Sequence, residues 1–296
     1  MQTIKKMEIR YIDLSSLSSE QHQLLIETIK DVEKNKYYIQ MYKDKFKEHF
    51  IEIKLVIVEE LENMEQYVKC NKVDFAINRS RNHIMGELLE QKGVRVFNSS
   101  SVTRIANNKG ITYEFLKDVV PFLAVKYGNE IIESKIENKG FEYPYVIKSC
   151  SGHGGSQVFL VNNSKEDEQA VKAMNGQEYV VQQCCSDLGR DVRVYIIGNK
   201  IIKAVLRTST ESFKSNYSLG GKVQEYTLNN EEKAMVERIV DKLPLDYAGI
   251  DFTFNNGKAV FNEIEDAVGA RMLYQVSDID IVEMYIKYIL EQLSKE

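Results

Sequence analysis

Apolar positions in the first third of the chain alternate between helical and strand spacing. A long helical pattern follows the serines at 15–18, and a shorter one at 82–92 ends at Gly93. Strand-like runs lie at 51–60, 73–77 and 94–97. Strands and helices in alternation predict a small parallel sheet, whose ligands bind beyond the carboxyl ends of its strands. Arg79 and Arg81 directly follow one strand and would lie at that edge; a solvated loop is the alternative interpretation.

The middle of the chain contains a glycine-rich loop between two predicted strands. A helix stopped by Pro121 and a lysine-rich segment precede the strand 145–148, and residues 151–156 read SGHGGS before the strand 157–161. Such a loop bends sharply and can offer bare N–H groups to an anion, with Lys148 beside it. No Lys-Ser/Thr pair follows the glycines and no helix opens there, so neither the Walker nor the Rossmann pattern applies. A hairpin loop without a ligand is the alternative.

The last part combines apolar strands with charges at period two. A buried strand, EYVVQQCC, precedes a hairpin in which Asp191 and Arg193 share one face and Arg207 ends the second strand. A helix behind an Asn cap, a second hairpin around 255–257 and a C-terminal helix complete the pattern. Taken alone, the charges in the first hairpin would be cross-strand ion pairs.

The second hairpin ends in FNEIED, which places two like charges on one face. Glu263 and Glu265 point the same way, and strands disfavour such repulsion. The pair can persist at a solvated strand end or around a bound cation, and the stretch alone favours neither reading.

Composition narrows the class of protein. The 296 residues are 43% hydrophobic with a net charge of −5, which argues against a nucleic-acid binder. The N-terminus is too polar for a signal peptide and no run is long enough to span a membrane, so we expect a cytoplasmic protein. The four cysteines contain no CxxC and Cys184-Cys185 lies in an apolar run, so buried thiols are expected. The four histidines are too scattered to suggest a metal site.

Read in order, these motifs resemble the ATP-grasp superfamily, and within it the RimK-like carboxylate–amine ligases. The series begins with the glycine-rich loop, which follows a strand that ends in lysine. A strand with the motif D-x-R, a strand that ends in arginine and the motif S-N-x-x-x-G-G come next. The motifs G-x-D and N-E-x-E complete the series. The resemblance covers about residues 98–280 and is weaker before that. It implies an α/β (α+β) ATP-grasp fold in three parts: an N-terminal parallel-sheet domain (1–105), a central lobe with a glycine-rich lid loop (106–178) and a C-terminal lobe with the magnesium and catalytic residues (179–296).

The resemblance also implies roles for residues around ATP. Two lysines would bind the phosphates of ATP, and the glycine loop would cover these phosphates. The backbone after EYVV would pair with adenine. Gln183 stands in this segment at a position where family members often have Glu. An acidic residue, Asp191, would accept from the ribose, and Arg193 and Arg207 would be catalytic at the γ-phosphate or acyl-phosphate. The implied ATP-binding set is Lys109, Lys148, Ser151, Gly154, Gly155, Ser156, Gln183, Cys184, Cys185 and Asp191.

By the same resemblance, Asp251, Glu263 and Glu265 would be ligands of two Mg²⁺ ions, for which Mn²⁺ could substitute. The third ligand position is Asn in most such ligases, so Glu265 adds a negative charge there. Asp266 would lie outside the ligand set or in solvent. Side chains alternate faces along both strands of the hairpin. Asp251 therefore shares a face with Glu263 only if the residue directly opposite Asp251 on the neighbouring strand has an odd number. We therefore predict a three-residue turn or a bulge in this hairpin, because a two-residue turn with a regular ladder would pair Asp251 with Asn262.

The function implied is an ATP- and Mg²⁺-dependent ligase that forms a peptide or amide bond through an acyl-phosphate. Its substrates would be amino acids or peptides, or a carrier or peptide tail, with no nucleic-acid or membrane partner; homo-oligomers are common in the family. An ATP-grasp kinase and a non-catalytic ATP-binding protein are the alternatives. Candidate substrate contacts are Arg79, Arg81, Asn216, Gly221 and Arg271.

Overall fold

The computed structural model describes residues 18–128, 140–155, 157–209 and 221–295. They form two compact units: one comprises the described residues up to Ser100 with the C-terminal segment from Val282, and the other runs from Ser101 to Ile281. The predicted central and C-terminal lobes thus fall in one unit, apart from the last helix. Within the described residues, no helix combines the length and apolar character needed to cross a bilayer.

The first unit contains a small parallel sheet with helices. Its elements are α1 (Ser19–Lys34), α2 (Lys36–Glu48), α3 (Met64–Cys70), β1 (Phe75–Ile77), α4 (His83–Glu90) and β2 (Arg95–Phe97), and β1 pairs with β2 in parallel. Ser18 caps α1 through a capping box with Gln21. The C-terminal helix α10 (Ile281–Leu293) adds Tyr288, whose ring lies 6.4 Å from that of Phe97.

The strand predicted over 51–60 is wrong. Residues 51–57 have no regular structure, and Val58–Glu60 form a single 3₁₀ turn. Within the described residues this segment pairs with no strand, and none of its side chains is buried. A high β propensity forms a strand only where a neighbour accepts its hydrogen bonds and covers its side chains.

The second unit contains two antiparallel sheets. The four-stranded sheet has the order β3-β6-β4-β5 and the five-stranded sheet the order β11-β10-β7-β8-β9. The elements are α5 (Ser100–Ala106), α6 (Lys109–Leu116), β3 (Val125–Tyr127), β4 (Tyr145–Ser149), β5 (Val158–Val161), α7 (Ser164–Met174), β6 (Tyr179–Gln183), β7 (Arg190–Ile197), β8 (Lys200–Thr208), β9 (Lys222–Tyr226), α8 (Asn230–Lys242), β10 (Tyr247–Asn255), β11 (Lys258–Glu265) and α9 (Arg271–Val276).

Alternation along the strands of the five-stranded sheet separates an apolar face from a polar one. Val192, Ile250 and Phe252 are fully buried on the apolar face and share one core with Val236 and Ile239 of α8. Burial of this face fixes the register of the strands, since a slip by one residue would exchange the two faces. The charged side chains are thereby confined to the other face.

Candidate active site

The polar face of the five-stranded sheet brings together six of the predicted site residues. Asp251 lies directly opposite Glu263 on β11 and Arg193 on β7, and Asp191 lies opposite Arg207 on β8. Residues two apart share a face, so Glu265 joins the same surface. The six residues are Asp191, Arg193, Arg207, Asp251, Glu263 and Glu265.

The predicted irregularity in the β10–β11 hairpin is present as a bulge. Asn255 pairs with Lys258 across the two-residue turn Asn256-Gly257, and both turn residues have positive φ, as a tight hairpin turn requires. The register shifts between Asp251 and Phe252, because Asn262 is an extra residue in β11. Asp251 therefore pairs with Glu263, as the shared face requires.

Two arginines surround the carboxylate of Asp251, which is fully buried. Arg193 donates from Nε and Nη2 to its two oxygens, each at 2.7 Å, and Arg207 donates from Nη2 at 2.6 Å. Arg207 also donates to both oxygens of Asp191, at 2.6 and 2.5 Å, and Nη2 of Arg193 lies 2.6 Å from Oε2 of Glu265. Burial by itself would raise the pKa of Asp251, but the two guanidinium groups outweigh it and lower this pKa to about 2.

The three predicted metal ligands form a face of oxygen donors rather than a finished coordination sphere. Within the described part of the chain, no group of three or more Asp, Glu, His or Cys side chains is close enough to hold a metal ion. Glu263 and Glu265 keep 36% and 33% of their side chains exposed, whereas Asp251 has both oxygens engaged by arginines. Carboxylate oxygens are the donors that Mg²⁺ prefers, so the donor type suits this ion, and the assignment of the three residues as its ligands stays a prediction.

A glycine makes room for Arg193. A Cβ on Gly249 would lie 2.9 Å from Cγ2 of Val268 and 3.2 Å from Cδ of Arg193. Since Gly249 pairs with Tyr195 on one side and Glu265 on the other, it occupies the centre of the polar face. A side chain at this position would therefore crowd both Val268 and Arg193.

Lys148 projects from the four-stranded sheet and is held by two side-chain amides. Its Nζ donates to Oε1 of Gln182 at 2.6 Å and to Oδ1 of Asn262 at 2.8 Å. Gln182 donates in turn to the hydroxyl of Tyr113 at 3.2 Å, and that hydroxyl donates to the carbonyl of Asn262 at 2.9 Å. Burial, reinforced by the charge of Lys109, lowers the pKa of Lys148 to about 8.

The ammonium of Lys109 lies near both the glycine loop and Glu263. The Lys109 ammonium contacts the carbonyl of Gly152 and lies 3.8 Å from Oε2 of Glu263. Gly154 and Gly155 have φ values of +62° and +76°, which side chains disfavour. Ser151, the first residue of the loop, is exposed. Ser156 and Asn216 lie outside the described residues.

The expectation that the thiols are buried is correct for only one of the four cysteines. All four cysteines are free, but only Cys150 is buried; Cys70 is exposed, and Cys184 and Cys185 are half-buried. The reason is that β6 ends at Gln183, so the two cysteines leave the sheet. Gln183 itself is exposed, and its N–H donates to the carbonyl of Ala124 at 2.9 Å.

The described candidate substrate residues are distributed over the two units. Arg79 lies over the ring of Tyr38 at 5.9 Å, and Arg81 is 3.8 Å from Asp31, both within the first unit. In the second unit, Gly221 is buried immediately before β9, and Arg271 is the exposed first residue of α9. These assignments stay predictions.

Four further polar residues lie near the site. Asp266 was expected outside the ligand set or in solvent; it is buried and accepts from Asn107 at 2.9 Å, which rules out the second alternative. Asn262, Gln182 and Tyr113 were not predicted at all. The paired amides in VVQQ and the Asn in NEIE were visible signals, but their convergence on Lys148 depends on the bulge and on the packing of two sheets.

Comparisons with known proteins point to one family. The family model of the RimK-like ATP-grasp domain matches residues 114–289. An uncharacterized protein of Mycoplasma genitalium is 33% identical over 243 residues, which cover 81% of this chain and 82% of the relative. A Vibrio vulnificus protein described as a probable alpha-L-glutamate ligase is 26% identical over 238 residues, covering 79% of this chain and 70% of its own. The D-alanine–D-alanine ligase of Bacillus anthracis in complex with ATP gives a TM-score of 0.65 at 16% identity, over 95% of each chain.

The fold is therefore that of the ATP-grasp enzymes. The chain belongs to the RimK-like ATP-grasp family. This confirms the resemblance found in the sequence and, at the level of enzyme class, the expectation of an ATP-dependent carbon–nitrogen ligase. ATP binding follows from membership of this family.

Proposed function

We propose that this protein activates a substrate carboxylate with ATP and joins it to an amine through an acyl-phosphate. The observation that carries the proposal is the polar face on which three carboxylates, Asp251, Glu263 and Glu265, adjoin the arginines Arg193 and Arg207. Lys109 and Lys148 flank Glu263 and its neighbour Asn262. Such a set can balance the charge of a triphosphate and of a phosphoryl group in transfer.

In the first step, an oxygen of the substrate carboxylate attacks the γ-phosphorus, and the bond to the β-γ bridging oxygen breaks to release ADP. Arg193 and Arg207 leave Asp251 and bind the transferred phosphoryl oxygens, for which their planar donors are suited. Lys148 and Lys109 bind the nucleotide phosphates. Asp251, Glu263 and Glu265 would hold magnesium, which when bound neutralises phosphate charge.

In the second step, the amine nitrogen attacks the acyl carbon and phosphate leaves with the electron pair of the C–O bond. The glycine loop, 151–156, would cover the phosphates and limit hydrolysis of the acyl-phosphate. The backbone at 183–185 would pair with adenine, and Asp191 would be free to accept from the ribose once Arg207 turns to the phosphoryl group. The sequence does not select the substrates, but the description of the Vibrio vulnificus relative puts glutamate first among those to test.

The test is ADP release with Mg-ATP against amino acids and short peptides, singly and in pairs, with mass analysis of each active mixture. A product lighter by one water than its two substrates is expected, together with a hydroxamate when hydroxylamine replaces the amine. A phosphorylated product that gives no hydroxamate would instead identify a kinase. ATP binding without ADP release for any acceptor would contradict the proposed ligase reaction for these substrate classes.

A further inference from the structure

Lys148 belongs to a closed ring of hydrogen bonds formed by four residues. Its Nζ donates to Oε1 of Gln182 at 2.6 Å and to Oδ1 of Asn262 at 2.8 Å. Nε2 of Gln182 donates to the hydroxyl of Tyr113 at 3.2 Å, and this hydroxyl donates to the backbone carbonyl of Asn262 at 2.9 Å. An ammonium group can only donate, so both amides present oxygen to it, and the amide nitrogen of Gln182 is left for Tyr113.

The bulge in β11 makes this ring possible. Phe261 is buried on the apolar face and Glu263 lies on the polar face, so Asn262 is the extra residue between the two faces. A bulged residue leaves the ladder and can direct its side chain elsewhere. Here the side chain of Asn262 accepts from Lys148, and its carbonyl accepts from Tyr113. The irregularity in β11 therefore produces a polar contact with the four-stranded sheet.

The two sheets are joined beside this ring by residues 121–124. The N–H of Phe261 donates to the carbonyl of Pro121 at 2.9 Å, and the N–H of Gln183 donates to the carbonyl of Ala124 at 2.9 Å. Phe261 and Gln183 are the chain neighbours of the two amide residues of the ring. Backbone hydrogen bonds thus fix the distance that the ring spans.

We infer that three residues of this ring are positioning residues, which hold the ammonium of Lys148 ready to bind a phosphate oxygen of ATP. They are Gln182, Asn262 and Tyr113. Among the described residues, the two amides are the hydrogen-bond acceptors of the ammonium, which leaves one of its three N–H groups for the nucleotide. Both amides are neutral, so they orient the lysine without cancelling its charge. The inference rests on the proposed function, from which it takes the contact between Lys148 and a phosphate.

Positioning matters here because a lysine side chain is long and flexible. In the ring its ammonium is ordered before ATP binds, so the conformational entropy of the side chain is already lost and does not weaken binding. Lys148 is 9% exposed and Gln182 is 2% exposed. At this depth an unsatisfied polar group is costly, so the members of the ring keep one another in place.

The test is a double-mutant cycle on Mg-ATP binding, measured by calorimetric titration of the full chain. Gln182→Met keeps the length of the side chain but removes the amide, and it should weaken binding about 10-fold. In the Lys148→Ala background the same change should alter the affinity by less than about 2-fold, because its effect passes through the lysine. Gln169→Met, on the exposed surface of α7, is the matched control and should bind Mg-ATP like the parent.

Tyr113→Phe tests the ring by a smaller change and keeps the test valid if Gln182→Met does not fold. It removes only the hydroxyl and retains the aromatic ring, which packs 5.0 Å from that of Phe122. Mg-ATP binding should weaken about 3-fold or more in the parent, with no further loss in the Lys148→Ala background. Scanning calorimetry of each variant checks that it is folded.

The outcomes separate this inference from the proposed function. Equal losses of affinity with and without Lys148 would show that the ring supports the fold rather than the lysine, and would overturn the inference alone. The same holds if Lys148→Ala binds weakly while Gln182→Met and Tyr113→Phe bind like the parent. Normal binding by Lys148→Ala would remove the lysine from the nucleotide site, and with it both the inference and that part of the proposed function.

Discussion

At the scale of single residues, Asp251 shows how a buried carboxylate in the site is stabilised. A buried carboxylate is costly unless charged donors surround it, and Arg193 and Arg207 together supply three hydrogen bonds to it. The same guanidinium groups are proposed to bind phosphoryl oxygens during turnover. Because a phosphoryl group offers them the same kind of acceptor as a carboxylate, the exchange preserves their hydrogen bonds and frees the oxygens of Asp251.

Glu263→Gln tests the proposed metal-binding face at its more exposed position. The amide keeps the size of the side chain but lacks the charge that would attract magnesium, so ADP formation should fall by about 100-fold or more, equivalent to about 2.7 kcal/mol. The thermal unfolding midpoint should stay close to that of the parent. Glu237→Gln, a change on the exposed surface of α8, is the matched control and should leave ADP formation unchanged. Normal turnover in Glu263→Gln would contradict the metal assignment.

Lys148→Ala tests the second cationic position. Its ammonium is held by Gln182 and Asn262 and is proposed to meet an ATP phosphate, and a hydrogen bond to a charged group contributes about 1.5–3 kcal/mol. Calorimetric titration with Mg-ATP should therefore show binding weakened about 10- to 100-fold. Lys172→Ala, on the exposed surface of α7, removes the same charge away from the site and should bind ATP normally. Unchanged affinity in Lys148→Ala would remove this lysine from the site.

At the scale of elements, close packing of β10 against β7 predicts a separate phenotype. Gly249→Ala should displace Val268 and shift Arg193 relative to Asp251, because the new methyl group would lie 2.9 Å from Cγ2 of Val268 and 3.2 Å from Cδ of Arg193. Overpacking of this kind costs about 1–3 kcal/mol of stability, measurable in urea unfolding. ADP formation should fall as well. Gly269→Ala is the control, since a Cβ there meets nothing within 4 Å. Equal stability and activity of both variants would show that Arg193 does not need this space.

The same hairpin shows how far the sequence predicts the site. Alternation along β10 and β11, together with the resemblance that places Asp251 and Glu263 on one face, was enough to require either a three-residue turn or a bulge. Its position at Asn262 was not predictable, since neighbouring residues in NEIE could each have been extruded. The contact from Asn262 to Lys148 was missed for the same reason. The error over 51–57 is of a different kind: a single strand pattern cannot reveal whether another strand will pair with it.

At the scale of the whole molecule, charge explains why ATP should need magnesium. The net charge is −5, and at the site four acidic groups face four basic ones. They are Asp191, Asp251, Glu263, Glu265, Arg193, Arg207, Lys109 and Lys148. These charges cancel, so the site has no excess positive charge to offer a triphosphate, and without a divalent cation the charge of the added phosphates would be uncompensated.

Thermal unfolding should reveal this requirement without any turnover. A ligand at 100 times its dissociation constant stabilises the folded state by about 2.7 kcal/mol, which for a unit of this size raises the unfolding midpoint by about 5–10 °C. Scanning calorimetry should show that shift with Mg-ATP, and a much smaller one when EDTA removes the metal. Glu263→Gln should lose most of the difference between the two conditions, because it lacks the carboxylate proposed to hold magnesium, whereas Glu237→Gln should keep it. An equal shift with and without magnesium in the parent protein would mean that ATP binds here through the lysines and arginines alone, and the carboxylate face would then need another role.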